Sequence, residues 1–309
     1  MTLDLRQLRY FVAVAEEGHI TRAAERLGMA QPPLSQQIRA LEERLGVRLF
    51  HRRARGVELT EGGAALLEEA RIILARLEQA ERSALSAARG EQGQLRVGVA
   101  PTAPFHPFVP QVIRAFREAY PGVTVTMDEC LSRQAITGLK EARLDVAFVR
   151  AEIEDPDLTV YRLIREPMVV ALPAAHPLAA GPPTPSSLAA YADETFIAFA
   201  RVEGPGMFDA TATACLKAGF SPCIGQEAPR ITSTLGLVAV GLGIAIVPDS
   251  MRHVQMDGVT YRQLLEEDRP VVPLDLATRR GAASAVIRNF TDLVRHAARE
   301  HTAGGAATA

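Results

Sequence analysis

The chain has 309 residues, 48% of them apolar and 23% charged, which marks a globular, soluble protein with room for two or three domains and a substantial core. It opens on a helical pattern instead of a basic leader, and it holds no run of about 18 uninterrupted apolar residues, so neither export nor membrane spanning is expected. Taken in order, the first helix is expected over Leu5–Glu17, with Asp4 and Gln7 spaced as a capping pair and Leu5, Leu8, Phe11, Val12 and Ala15 as its buried stripe. A short helix follows, with Ala23, Ala24 and Leu27 on a small apolar face, and Gly28 breaks it where a helix-turn-helix needs its bend.

The next helix opens on Gln31-Pro32-Pro33, and proline suits a first turn because its missing N–H has no helical partner there. Leu34, Ile38, Leu41 and Leu45 make one apolar stripe. At about 100° per residue, Pro32, Gln36, Arg39 and Glu43 face the other way, with Ser35 on the flank. Arg48, His51, Arg52, Arg53 and Arg55 come next, then Val57-Glu58-Leu59, which reads as a two-stranded wing with guanidinium groups placed for phosphates. A helix-turn-helix shape alone occurs in many proteins that never meet nucleic acid, and an arginine cluster alone is usually a solvated face. The two in this order, within forty residues, point to double-stranded DNA. Gln31, Pro32, Pro33, Ser35, Gln36 and Arg39 are the candidates for the major groove, joined by Arg22, with Arg52 and Arg53 on phosphates.

Charge agrees with that reading. Residues 1–59 hold ten arginines against seven acids, an excess of three, so the remainder carries five net negative charges to reach the overall −2. A modestly basic head on an acidic body suits a protein that meets DNA with one end, and tight binding then calls for two or more heads.

The stretch from Leu5 to Gly63, LRQLRYFVAVAEEGHITRAAERLGMAQPPLSQQIRALEERLGVRLFHRRARGVELTEGG, resembles the N-terminal domain of LysR-type transcriptional regulators almost continuously. Many members carry arginine or threonine-arginine where Ser35-Gln36 stand here, so the resemblance implies an altered base preference at that contact.

Thr60 can cap a long helix, with Glu61 in its first turn. Leu66, Ala70, Ile73, Leu77, Ala80, Ala84 and Ala87 recur in steps of four and three, a heptad seam. Such a helix cannot hide that stripe alone. Packing inside its own domain is the bland explanation; pairing with the same helix of a second subunit is the favoured one. Arg89-Gly90-Glu91-Gln92-Gly93 then reads as a hinge.

Beyond it the pattern becomes strand–helix alternation. Strands are expected at Leu95–Val99, Val123–Asp128 and Asp145–Val149, with helices near Phe108–Ala119 and Arg133–Glu141, the βαβαβ order of a parallel sheet. Leu158–Leu163 and Met168–Leu172 add two extended segments, followed by a proline-rich stretch. Phe196–Phe199 starts a second unit with helices near Phe208–Ala218 and Thr232–Val240 and a strand at Ile244–Val247. Pro270–Thr278 and a helix near Ser284–Arg299 return to the first lobe. Two α/β lobes with crossing strands resemble the periplasmic-binding-protein-like regulatory domain of the family. The expected architecture is therefore α plus α/β: a winged helix-turn-helix over 1–59, a dimerising linker helix over 60–89, and a two-lobed regulatory domain over 90–300. Lobe I covers about 94–165 and 268–300, lobe II about 166–267, and 301–309 is expected to be a disordered tail.

Ligands of open parallel sheets collect at the carboxyl ends of the strands. Three loops lie there: Pro101-Thr102-Ala103; Leu131-Ser132, which opens a helix where free N–H groups favour an anion; and Arg150, which can grip a carboxylate with two parallel hydrogen bonds. The bland alternative for Arg150 is a surface ion pair with Glu152 or Glu154. The second lobe supplies Ala200-Arg201-Val202 and Thr232-Ser233. Serines and threonines at such places are more often simple caps, so only their convergence with Arg150 would make a site. DVAFVR and LGLVAVGLGIAIVP are similar to the family's aromatic-catabolism subgroup, in which muconate or benzoate lies between the lobes. That resemblance implies a small organic-acid effector, with Ser132 and Arg150 at effector-contacting positions. Ala103 stands where some members have a serine, and Arg201 adds a cation where a small polar residue is common. It further implies a homodimer, assembling to a homotetramer, with RNA polymerase a further partner.

Catalysis finds no support. Both lysines, Lys140 and Lys217, follow leucine, so there is no phosphate-binding loop; Gly219-Phe220-Ser221-Pro222-Cys223 fails as a nucleophile elbow at its last position; and the seven histidines form no metal pair. No enzyme, metal or cofactor is expected. Cys130, Cys215 and Cys223 are scattered, as in a reducing cytoplasm. A thiol-based redox sensor of the same family, through Cys215 and Cys223, is an alternative reading, and a small-molecule binding protein without DNA is a third.

Overall fold

The structure is a computed structural model that describes residues 3–53, 56–181, 184–199, 205–282 and 284–305. The chain folds as two compact units, Met1–Ser86 and Ala87–Ala309.

In the first unit, α1 (Leu5–Glu17), α2 (Ile20–Arg26) and α3 (Gln31–Leu45) enclose a core of Leu8, Phe11, Val14, Ala23, Leu34, Ile38 and Leu41. Asp4 caps α1 by accepting the Arg6 N–H at 2.9 Å. Gln7 does not complete the expected capping pair: its side-chain amide donates to Gln37 Oε1 at 3.2 Å and ties α1 to α3 instead. Gly28 takes the left-handed conformation, φ +66°, that bends the chain between α2 and α3. α3 has no side-chain cap, and its prolines occupy the first turn. At its far end the Glu42 carboxylate accepts the N–H groups of Leu49 (2.7 Å) and Phe50 (3.2 Å) and so anchors the wing to the helix. The wing is the antiparallel pair β1 (Phe50–Arg53) and β2 (Gly56–Leu59), with Phe50 opposite Leu59 and Arg52 opposite Val57.

α4 (Glu61–Ala88) starts where expected, Thr60 Oγ1 accepting the Gly63 N–H at 2.9 Å. Only its first turns pack on the head. Further along, Ile72 is 55%, Ile73 39% and Leu85 58% exposed.

In the second unit β3 (Gln92–Val99), α5 (Phe108–Ala119), β4 (Gly122–Glu129), α6 (Ser132–Lys140) and β5 (Val146–Val149) form the expected βαβαβ, with β3 parallel to both β4 and β5. β6 (Leu158–Pro173) is one continuous strand where two were expected, because Ile164–Pro167 keep pairing across the gap with the returning strand. β7 (Thr195–Phe199), α7 (Pro205–Lys217), β8 (Cys223–Ala228), α8 (Ile231–Ala239), β9 (Ala245–Pro248) and β10 (Val259–Arg262) build the second lobe. β11 (Val271–Arg279) and α9 (Ala285–Gly305) close the first. The main sheet runs β10-β6-β11-β5-β3-β4, with β9 also on β6, and β7 pairs with β8 apart from it.

β6 and β11, antiparallel to each other, cross between two separate cores. One core is built around Phe116, Phe148 and Phe290, the other around Tyr191, Phe196 and Leu235. β11 slips register between Leu274 and Asp275, and Asp275 uses the irregularity to accept from the Leu163 N–H and Arg165 Nη1, at 3.1 and 2.9 Å.

Two expectations need correction. The segment expected to be a hinge is clamped: Arg89 O accepts from Asn289 Nδ2 at 2.8 Å, and Gly90, at φ +71°, packs so closely on Ala285 that a Cβ would come within 2.6 Å of its carbonyl carbon. The tail expected to be disordered continues α9 as helix to Gly305, while 306–309 lie outside the described residues. No helix among the described residues is long and apolar enough to cross a membrane.

Candidate DNA-reading head and effector cleft

Gln31, Pro32, Pro33, Gln36 and Arg39 are all exposed on one side of α3, opposite the buried Leu34–Ile38–Leu41 stripe, with Ser35 half-buried beside them. Gln31 Nε2 donates to Ser35 Oγ at 2.8 Å, which fixes both side chains at the helix start. Arg22 is exposed and held at the end of α1, donating to the Glu17 carbonyl with the Glu17 carboxylate 3.9 Å away. Arg52 is exposed on the wing; Arg53 donates to Glu58 Oε2 at 2.9 Å across it. That pair is open to solvent at both ends, so it is weak, but its carboxylate competes with phosphate for Arg53. Glu58→Gln therefore raises affinity for an arbitrary 40-base-pair duplex by about two- to fivefold at low salt, read by fluorescence anisotropy. Unchanged affinity would show that Arg53 does not meet the backbone.

In the second unit Thr102, Ser132 and Arg150 line one recess, with Ala100, Leu131, Phe199 and Met207. Each arrives by the end of a strand. Thr102 follows β3, Ser132 is the first residue of α6 after β4, and Arg150 follows β5. Ser132 Oγ accepts the Arg150 N–H at 3.3 Å, and Gln134 Oε1 accepts the Leu131 N–H at 3.0 Å, which holds the start of α6 against the end of β5. α7 closes in from the other lobe, where Gly206 approaches the Arg150 carbonyl so tightly that a Cβ would lie 2.5 Å from the oxygen.

Arg150 is no surface residue. It is 4% exposed, and its Nη1 lies 2.5 Å from Oε2 of Glu166, itself 3% exposed, on the crossing strand β6. Neither Glu152 nor Glu154 is the partner expected for it; Glu152 faces Arg162 and Arg165 instead. Glu166 also accepts the Ser250 N–H at 2.7 Å, so one carboxylate joins the end of β5, β6 and the 3-10 turn Asp249–His253 that follows β9. The Arg150–Glu166 approach is a charge contact, not an aligned hydrogen bond. Among the described residues the Arg150 guanidinium nitrogens and Thr102 Oγ1 have no hydrogen-bond partner. Burial works against the Arg150 charge and Glu166 offsets it; a guanidinium keeps its proton. Burial holds the neighbouring His106 imidazole below its usual value, against the pull of Glu166 and with the help of Arg150, and its Nδ1 accepts the Phe108 N–H at 3.3 Å.

Three other candidates, Ala103, Thr232 and Ser233, do not join this recess. Ala103 is fully buried and opens a short 3-10 turn, its methyl turned into the first core. Thr232 and Ser233 are exposed on the first turn of α8. Arg201 and Val202 lie outside the described residues. Sequence reasoning missed Glu166, Phe199, Gly206 and Met207. A lone glutamate inside the apolar run of β6 was the one readable signal; the other three carry no charge pattern.

The thiols offer little chemistry. Cys215 is fully buried with its thiol pushed up to about 11 by burial, and burial also raises Cys130. Such thiols hold almost no thiolate at neutral pH and are inert. Cys223 is exposed at the start of β8.

A winged helix-turn-helix followed by a two-lobed α/β unit is the architecture of a DNA-binding regulator. The comparisons with known proteins agree. The bacterial regulatory helix-turn-helix protein, lysR family, matches residues 5–64, and the LysR substrate binding domain matches residues 88–299. The chain belongs to the LysR family of transcriptional regulators: it is a DNA-binding regulator with an effector-binding domain, not an enzyme. The uncharacterized HTH-type transcriptional regulator YnfL of Escherichia coli (strain K12) is 39% identical over 87% of this chain and 90% of that protein. The probable cat1 operon transcriptional activator of Acinetobacter lwoffii is 35% identical over 97% of this chain and 98% of its own length. The crystal structure of full-length CbnR complexed with its target DNA superposes with a TM-score of 0.84 at 30% identity, covering 96% of this chain and 100% of that one.

Proposed function

We propose that this regulator binds a small organic acid between Thr102, Ser132 and Arg150 and transmits its presence to paired DNA-reading heads. In this reading α3 enters the major groove with Gln31, Pro32, Pro33, Ser35, Gln36 and Arg39, Arg22 assists, and Arg52 and Arg53 hold phosphates. α4 pairs two subunits, two pairs make a tetramer, and the protein works in the cytoplasm. The target genes are those for breakdown of aromatic or related acids, a reading supported by the likeness to the cat1 activator.

One observation carries the effector assignment. A buried guanidinium whose nitrogens lack aligned hydrogen bonds shares a recess with an unpartnered buried hydroxyl and a helix start. That donor set fits a carboxylate. An effector shifts the lobes only by its differential affinity for their arrangements, and Glu166 on the crossing strand lies where that difference would be felt.

The test is a thermal-shift titration of the full chain with benzoate, muconate and related acids. A ligand at 100 times its dissociation constant adds about 2.7 kcal/mol. The shift is expected in the parent, reduced in Ser132→Ala, and lost in Arg150→Lys, which keeps charge but cannot form the two parallel bonds. A shift that survives Arg150→Lys unchanged would place the acid elsewhere.

A further inference from the structure

We propose that Glu16 is a positioning residue: it tethers α4 to the reading head and thereby sets the separation of the two DNA half-sites that a dimer occupies. The proposal rests on the reading that α4 pairs two subunits, and adds to it what fixes the angle at which each head leaves the pair.

α4 meets the rest of its unit along a narrow strip. Gly63 and Ala70 are buried, and Leu66 and Leu67 pack half-buried against the same core. Gly63 lies so close to the chain entering β1 that a Cβ there would come within 2.1 Å of the Leu49 carbonyl oxygen. At 3.6 residues per turn, Gly63 and Ala70 stand only about 20° apart around the helix, so the strip runs nearly along its axis. Such a strip resists lifting but not rocking to either side.

The lateral restraint comes from charge. Arg71 stands about 100° round the helix from Ala70, on the flank of the strip. Its Nη2 donates to Glu16 Oε1 at 3.1 Å. Glu16 lies at the end of α1, and its second oxygen accepts from Arg26 Nη1, on α2, at 2.9 Å. Arg26 Nη1 also reaches Glu17 Oε1 at 3.3 Å. One carboxylate thus joins three helices. The two arginines, Arg71 most of all, hold the Glu16 carboxyl below the ordinary carboxylate value, so the tether is charged at neutral pH.

Exposed ion pairs add little to stability, and here the arginine side chains are 52% and 55% exposed. Their effect is on geometry instead. From Ala70 to Ala88 the helix runs on for about 27 Å. A tilt of about 10° at the head displaces its far end by about 5 Å, more than the roughly 3.4 Å rise of one base pair. A restraint too weak to matter for folding can therefore decide which half-site separation is filled.

The experiment is selection of bound sequences by the full chain from random duplexes long enough for two half-sites, followed by sequencing of the bound pool. The parent is expected to return pairs of one half-site at a single separation. Glu16→Gln and Arg71→Gln should return the same half-site sequence, with separations spread over about three neighbouring base-pair steps. Arg26→Gln, which cuts the carboxylate from α2 but leaves it on α4, should keep the parent's separation. Separations as sharp in Glu16→Gln and Arg71→Gln as in the parent overturn the proposal. So does a spread in Arg26→Gln as wide as in Glu16→Gln, or an altered half-site sequence in Arg71→Gln, since either would mean that the network acts on the reading helices themselves. A parent that returns only isolated half-sites removes the pairing of α4, and this proposal with it.

Discussion

Arg150→Ala is expected to cost the second unit about 3–5 kcal/mol of stability, a large part of what an ordinary domain possesses. The reason is Glu166. Among the described residues its carboxylate, 3% exposed, has one charge partner, Arg150, and one hydrogen bond, from the Ser250 N–H. Removing the guanidinium leaves a buried negative charge facing the gap. Removing both charges does not: Arg150→Met with Glu166→Leu should recover most of the loss, since buried ion pairs and apolar replacements of similar size come out near parity. Urea unfolding of parent, single and double variants reads this directly. The single variant should melt on the order of 10 °C below the parent. A single-variant loss under about 1 kcal/mol would mean that water reaches the pair, and the recess would then be too wet to favour a carboxylate. A double variant as weak as the single would show that the two residues are not coupled.

The same pair marks the limit of what the sequence discloses. The head is legible almost to the residue, because a 3.6-residue period places Leu34, Ile38 and Leu41 inside and Gln36 and Arg39 outside with no tertiary information. The βαβαβ of the first lobe and the convergence of Thr102, Ser132 and Arg150 follow from strand order and the carboxyl-end rule. Long-range pairing is another matter. Nothing near Arg150 names Glu166, sixteen positions on, as its partner, and Glu152 lies far closer in the chain. β8 escaped because Cys223–Gln226 is exposed and carries no alternation, and β10 because Val259–Arg262 is half-buried throughout. The two segments of β6 looked separate because Arg165, Glu166 and Pro167 interrupt the apolar run. They are joined by the β11 ladder, a partner more than a hundred residues away.

Charging the α4 stripe, with Ile73→Glu and Leu77→Glu together, is expected to abolish self-association and lower affinity for a long duplex by at least a hundredfold. From Arg71 onward the seam stays open: Ile73 is 39% exposed, Leu77 half-buried, and Ala80, Ala84 and Ala87 exposed. An uncovered apolar stripe of that length on a heptad spacing is stable once it meets a second copy. Glutamates at the seam would be buried against their own symmetry mates, and like charges there cost more than the contact returns. The effect on DNA follows from valency. One head offers an excess of three positive charges, so a single domain binds weakly. If α4 pairs two subunits as proposed, two linked heads raise the second contact to an effective concentration that multiplies affinity by about 10²–10⁴. Sedimentation equilibrium and anisotropy on a duplex long enough for two half-sites test both halves of the claim. The head's own fold is unaffected by changes beyond Ala70, so circular dichroism should remain that of the parent. Variants that become monomeric yet keep their affinity would show that one head suffices, and the length of α4 would then need another purpose.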